Sequence, residues 1–195
     1  MREGEPAYWD GVAEKIDRGQ GFYDNWSKRR ILAQWLLKCS WGGQTVLEIG
    51  VGAGATATLL ALSCGNRWDY IGTDVSPRFR DMAGRFGLNV VEGDVLSLPN
   101  GEFTRILALD SLEHVHPDDR EEGYRNIAAR LAPQGLMFIN MPHERSLHKD
   151  QFDHGIGLAD IMRLSANGLR LRRYEYYEVA YANYLRGYGF AVMTK

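Results

Sequence analysis

Cysteine is nearly absent from this chain. Only Cys39 and Cys64 occur in 195 residues. Two cysteines outside any metal-type pair exclude a disulfide framework and a cysteine-based zinc site, and they suit a reducing cytoplasm. Net charge is also nearly absent. The 23 Lys+Arg against 25 Asp+Glu leave −2, so no global electrostatic bias draws the chain to nucleic acid or an anionic membrane. Long apolar runs are missing too. The uncharged stretch Ile49 to Cys64 carries three glycines and two threonines and falls short of the ~20 apolar residues of a membrane span. The first residues, polar and acidic, are unlike a signal peptide. Neither low-complexity segments nor internal repeats occur.

What is present is an ordinary globular composition, 45% hydrophobic and 25% charged, enough for one domain with a sizeable core over 1–195. Residues from about Pro6 to Lys38 read as an amphipathic helical cap (1–40) ahead of a sheet core (44–195). Trp26, Ile31, Leu32, Trp35 and Leu36 make its apolar face, with Lys28, Arg29 and Arg30 opposite. Strand-like runs at Thr45–Ile49, Trp68–Thr73, Leu88–Glu92, Phe103–Leu109 and Gly135–Met141 then alternate with helix-like runs at Ala55–Ser63, Pro77–Phe86 and Pro117–Leu131. That alternation predicts a parallel sheet with helices on both faces. After a short helix at Leu158–Ser165, the β-rich runs Leu169–Ala180 and Gly187–Thr194 are joined too closely for a parallel crossover. They predict an antiparallel hairpin.

The most informative stretch is Thr45 to Gly54, a strand ending in a glycine loop before a helix at Ala55. Such a unit brings backbone close to a nucleotide-like ligand. Gly50, Gly52 and Ala55 satisfy the dinucleotide pattern G-x-G-x-x-G/A, and Asp74 follows where a ribose-binding acid would sit. An NAD(P)-dependent oxidoreductase therefore stays open as an alternative. Glu48, inside the strand, tilts the reading toward a ligand carrying positive charge. With Gly50, Gly52 and Gly54 it gives E-x-G-x-G-x-G, which resembles the first motif of class I S-adenosylmethionine (SAM) methyltransferases.

The rest of the chain extends that resemblance. Asp74-Val75 closes the second strand and Asp94-Val95 follows the third. Asp110-Ser111-Leu112-Glu113-His114 follows the fourth and resembles the family's fourth motif. Tyr8-Trp9-Asp10-Gly11-Val12-Ala13 resembles the opening segment of small-molecule methyltransferases of the quinone-biosynthesis type. The resemblance implies a Rossmann-like class I methyltransferase fold, a mostly parallel seven-stranded sheet with a C-terminal antiparallel hairpin. It implies SAM as cofactor: Glu48, Gly50, Gly52 and Gly54 at the methionine end, Asp74 and Val75 at the ribose, Asp94 and Val95 at the adenine, Asp110 and Ser111 beside the methyl. Tyr23 is the aromatic assigned to the cofactor among Tyr8, Trp9, Phe22, Tyr23 and Trp26, and the segment to about Asn25 is either a lid or a fixed layer.

All five histidines (His114, His116, His143, His148, His154) fall in loops after the fourth and fifth strands. Histidine titrates near neutral pH and is the usual proton acceptor in catalysis. His114 is the best-placed base, with His143 second. The spacing of His143, His148 and His154 with Asp153 matches no defined metal site, and no metal is expected. The expected partner is a small-molecule acceptor. Nucleic-acid amino-group methyltransferases resemble one another in an N/D-P-P-Y/F segment, which Asp110-Ser111-Leu112-Glu113 does not match. A degenerate SAM-binding protein supporting a partner is the non-enzymatic alternative.

Overall fold

The computed structural model describes residues 5–19, 26–65, 67–143, 154, 156–181 and 184–195. They form two compact units, 1–94 and 95–195.

In the first unit, α1 (Glu5–Asp17) and α2 (Trp26–Leu36) precede β1 (Thr45–Ile49), α3 (Ala55–Cys64), β2 (Asp69–Asp74), α4 (Pro77–Gly84) and β3 (Val90–Glu92). The strands lie in the order β3-β2-β1, all parallel, with Glu48 of β1 opposite Gly72 of β2. Val46, Leu47, Ala57 and Leu60 are fully buried between strands and helices. Ser76 caps α4, its Oγ accepting from the Phe79 amide at 3.1 Å with Pro77 at the first helical position.

Asp10 of α1 reaches the same cap. Its Oδ1 accepts from Ser76 Oγ at 2.5 Å and from the Arg78 amide at 3.1 Å, a carboxylate at the positive end of α4. With Ala13 fully buried and Arg85 on Asp17 at 3.2 Å, α1 packs on α4. Of the segment to about Asn25 read as a lid or a fixed layer, residues 1–4 and 20–25, Tyr23 included, lie outside the described residues.

One side assignment in α2 is corrected. Lys28 is buried at 7% exposure and Arg29 donates to Thr56 Oγ1 of α3 at 3.1 Å. Lys28, Leu32 and Leu36 follow each other at four-residue spacing, so Lys28 belongs to the inward stripe and packs its alkyl stem there.

In the second unit, β4 (Phe103–Leu109) leads through two 3-10 turns, Leu112–His114 and Pro117–Asp119, into α5 (Arg120–Arg130). Then come β5 (Leu131–Pro142), α6 (Leu158–Ala166), β6 (Arg170–Tyr181) and β7 (Tyr184–Thr194). The order is β4-β5-β7-β6, parallel between β4 and β5 and antiparallel through the hairpin. Each unit thus carries its part of what the sequence implies, three parallel strands in the first and, in the second, a parallel pair followed by the C-terminal antiparallel hairpin. The helix expected over Pro117–Leu131 instead starts at Arg120 and stops at Arg130. The His116 ring accepts from the Asp118 amide and holds the first residues in a 3-10 turn. Strand β5 begins four residues early, because Leu131 pairs with Phe103 before a register shift around Gln134, whose φ is +62°. Among the described residues no helix is long and apolar enough to cross a membrane.

Candidate functional site

The first unit carries the glycine loop. Gly50, Gly52 and Gly54 all have positive φ (72°, 57° and 77°), a region side chains rarely adopt. At Gly54 space forbids a side chain as well: an added Cβ would sit 2.7 Å from Leu88 Cδ1 and 3.1 Å from Ala83 Cβ. The glycine lets α3 start directly against α4 and the chain leading into β3.

Asp74 clamps that loop. Its Oδ2 accepts from the Gly52 amide at 2.8 Å and its Oδ1 from the Ser76 amide at 2.9 Å. Burial pushes its carboxyl up, while the Ser76 and Gly52 amides and Arg80 act in the opposite direction. One carboxylate therefore joins the end of β2, the glycine loop and the start of α4. Each oxygen keeps a second lone pair for a ligand hydroxyl. The amide that would greet a pyrophosphate is already held by an anion, which disfavours the dinucleotide alternative.

Glu48 is placed more deeply than the sequence suggested. It is 3% exposed, and Tyr70 Oη donates to its Oε2 at 2.8 Å. Gly72 makes this possible. It lies opposite Glu48, and a Cβ there would sit 2.8 Å from Tyr70 Oη and 2.3 Å from Val51 Cγ2, so the tyrosine crosses the gap. Burial pushes the Glu48 carboxyl up to about 7, against the Tyr70 hydrogen bond and nearby Arg29. A carboxyl raised above its unfolded value of 4.5 binds its proton more tightly when folded. Its stabilising contribution is complete below pH ~4.5 and is lost as pH rises through about 7, on the order of 3 kcal/mol in all. Thermal melts from pH 5 to 8 are expected to fall for the native chain and to flatten in Glu48→Gln. Parallel slopes in the two proteins would contradict this.

Val75 lends its carbonyl to Arg80 Nη1 at 3.1 Å, beside the Asp74 carbonyl at 3.0 Å. Asp94 ends the first unit, half-buried. Val95 begins the second, where its buried side chain packs on Gly123 of α5 and its carbonyl accepts from Asn126.

In the second unit Asp110 adopts φ +56°, unusual for a residue other than glycine. Its amide donates to the Asn140 carbonyl at 2.8 Å, and Asn140 Nδ2 donates to its Oδ1 at 2.7 Å. Tyr177 Oη donates to Asn140 Oδ1 at 2.7 Å, so a chain of bonds links β4, β5 and β6. Sequence reading missed Asn140 and Tyr177. A lone amide in the apolar strand Phe138-Ile139-Asn140-Met141 was the available signal, and Asn140 is fully buried.

Ser111 is half-buried and precedes the turn carrying His114, which is also half-buried. The turn is fastened from behind. Arg120 donates to the Val115 and His154 carbonyls at 3.1 Å each and to Asp160 at 3.3 Å. His116 stacks edge-on against His154, and His143 against Tyr176, each at 5.0 Å. The two histidine candidates follow neighbouring strands, His114 after β4 and His143 after β5. His148 and Asp153 lie outside the described residues. Among the described residues no group of three or more His, Cys, Asp or Glu side chains is arranged to hold a metal.

With this geometry in place, residues 46–135 match the family described as methyltransferase domain. That stretch is similar to a methyltransferase domain, and the fold is the one shared by class I methyltransferases. No curated protein matches the sequence. Among solved structures, the domain is similar to the N-methyltransferase NodS from Bradyrhizobium japonicum WM9, with 21% identity, TM-score 0.72, and 88% of this chain and 98% of that one covered. It is also similar to magnesium protoporphyrin IX methyltransferase (ChlM) from Synechocystis PCC 6803, solved with S-adenosylhomocysteine bound, with 15% identity, TM-score 0.74 and 97% of both chains covered. A putative methyltransferase in complex with the Haloferax volcanii Trm112 activator matches with 16% identity, TM-score 0.75, and 97% and 96% covered. SAM is the cofactor of this class of methyltransferase.

Proposed function

We propose that the methyltransferase acts on a small-molecule acceptor. The observation that carries this reading is the segment after β4: Leu112 and Glu113 are buried at 0% and 2% exposure. Positions that nucleic-acid amino-group enzymes give to a base-binding N/D-P-P-Y/F segment are here spent on packing. The cofactor supplies a methyl already activated by its sulfonium. The protein's task is to align the acceptor, exclude water and take a proton where the acceptor is a hydroxyl or protonated amine.

The Asp74 clamp suits the cofactor. Its lone pairs suit the two ribose hydroxyls, the glycine loop gives close approach to the methionine end with Glu48 beneath it, and Asp94 with Val95 takes the adenine. Asp110 and Ser111 face the transferable methyl. His114, backed by Arg120, is the base, and His143 serves acceptor binding.

Two readouts test this. Fractions of small metabolites are expected to support formation of S-adenosylhomocysteine, while protein or RNA fractions do not; turnover only with a macromolecule would reject the small-molecule reading. With an acceptor in hand, His114→Ala is expected to cut turnover ~10²–10⁴-fold with cofactor affinity nearly intact. Native turnover in that variant would pass the role of base to another group.

A further inference from the structure

We propose that Arg186 anchors an anionic group, a carboxylate or phosphate, on the acceptor; this deepens the small-molecule reading above and rests on it. Arg186 stands on β7 opposite Val179 of β6. Because β7 runs antiparallel to β5, with Tyr188 opposite Pro142, Arg186 lies at the end of the strands that carries Asn140 and His143. Ligands of such sheets bind at the carboxyl ends of the parallel strands.

The guanidinium lies over the Tyr188 ring, 5.4 Å from its centroid. Its Nε is buried and makes no hydrogen bond, and among the described residues no carboxylate pairs with it. The other shielded arginines of this unit each use part of their guanidinium. Arg105, whose Nε is likewise buried and unbonded, donates Nη1 to the Thr104 carbonyl, Arg120 donates to Asp160 and two carbonyls, and Arg130 to Pro99 and Asn100. A guanidinium carries five N–H donors in a flat fork suited to two-point contact with carboxylate or phosphate. Tyr188 occupies one face of that plane, and the two Nη groups are the donors left for a ligand.

The surroundings connect this cation to the methyl-transfer side. Residues two apart on a strand share a face, so Arg186 and Tyr188 project together. Tyr188 stacks on Tyr177 at 5.4 Å, and Tyr177 bonds Asn140, which bonds Asp110. An anion held by Arg186 is therefore on the same side of β6 and β7 as the bonded chain that fixes Asp110. Cationic acceptors are disfavoured by the same charge.

The test follows the arginine Nε–H signals of the full chain in nuclear magnetic resonance while benzoate, phenyl phosphate or benzamide is added at matched ionic strength. It is run with and without S-adenosylhomocysteine. The signal that disappears in Arg186→Gln is expected to shift saturably with at least one of the two anions and not with benzamide. Arg186→Lys, which keeps the charge but loses the fork, is expected to weaken that binding about ten-fold, and Arg186→Gln to remove it, with S-adenosylhomocysteine affinity unchanged in both. An Arg186 signal that ignores both anions, or answers benzamide equally, overturns the anchor. Failure of the native chain to bind S-adenosylhomocysteine is a separate result. It would reject the methyltransferase reading, while the Arg186 response still decides whether an anion site exists.

Discussion

Asp74→Ala is expected to weaken binding of S-adenosylhomocysteine by about 1.5–3 kcal/mol, roughly 10- to 150-fold, the range for hydrogen bonds to a charged group. A second effect accompanies it. Asp74 is buried and its two oxygens hold the Gly52 and Ser76 amides. The variant therefore also loses about 1–3 kcal/mol of stability, the cost of leaving a buried donor unsatisfied. Calorimetry well below the lowered melting temperature separates the two losses. Unchanged affinity in a folded variant would mean that the ribose is held elsewhere.

Asp160→Ala is expected to cost more stability than Asp74→Ala. The carboxylate, 4% exposed, accepts from Arg120 at 3.3 Å, Tyr124 Oη at 3.0 Å, Arg163 at 3.2 Å and the Gly157 amide at 3.1 Å. Its removal leaves the Arg120 guanidinium buried without its anion, a situation worth about 3–5 kcal/mol. For a chain of this length that is a fall of roughly 6–20 °C in melting temperature. Arg120 also holds the Val115 and His154 carbonyls, so the turn bearing His114 is expected to loosen and exchange its amides faster. A shift below about 2 °C would show that Arg120 finds other partners and that the network is dispensable.

Much of this architecture was legible in the sequence because each element announced itself locally. The run Thr45–Ile49 ends at a glycine loop, Ser76-Pro77 writes out a helix cap, and the two β-rich runs near the end are too close for anything but a hairpin. Residue-to-residue contacts were legible only where sequence neighbours make them. Asp10 and Ser76 are 66 residues apart, and no local pattern joins them. The Tyr70–Glu48 bond depends on strand register, which places a glycine between them. A carboxylate beside a glycine loop therefore reads as exposed to the ligand until the register shows it buried. Lys28 misled for a related reason. Charge suggested a solvent face, while its four-residue spacing to Leu32 and Leu36 set the inward stripe. Arg186 carried no signal at all, since one arginine near a strand start gains meaning only from Tyr188 beneath it.

If the Asp74 clamp and its glycine loop serve a methyl donor and not a dinucleotide, the two ligands must differ in what they do to the folded chain. The direct measurement is the melting temperature of the native protein against rising S-adenosylhomocysteine and, separately, rising NAD. A ligand that binds only the folded state stabilises it by about 2.7 kcal/mol at a hundred times its dissociation constant. A saturating rise of several degrees is expected with S-adenosylhomocysteine and none with NAD. A rise with NAD and none with S-adenosylhomocysteine would contradict the assignment of the clamp to a methyl donor.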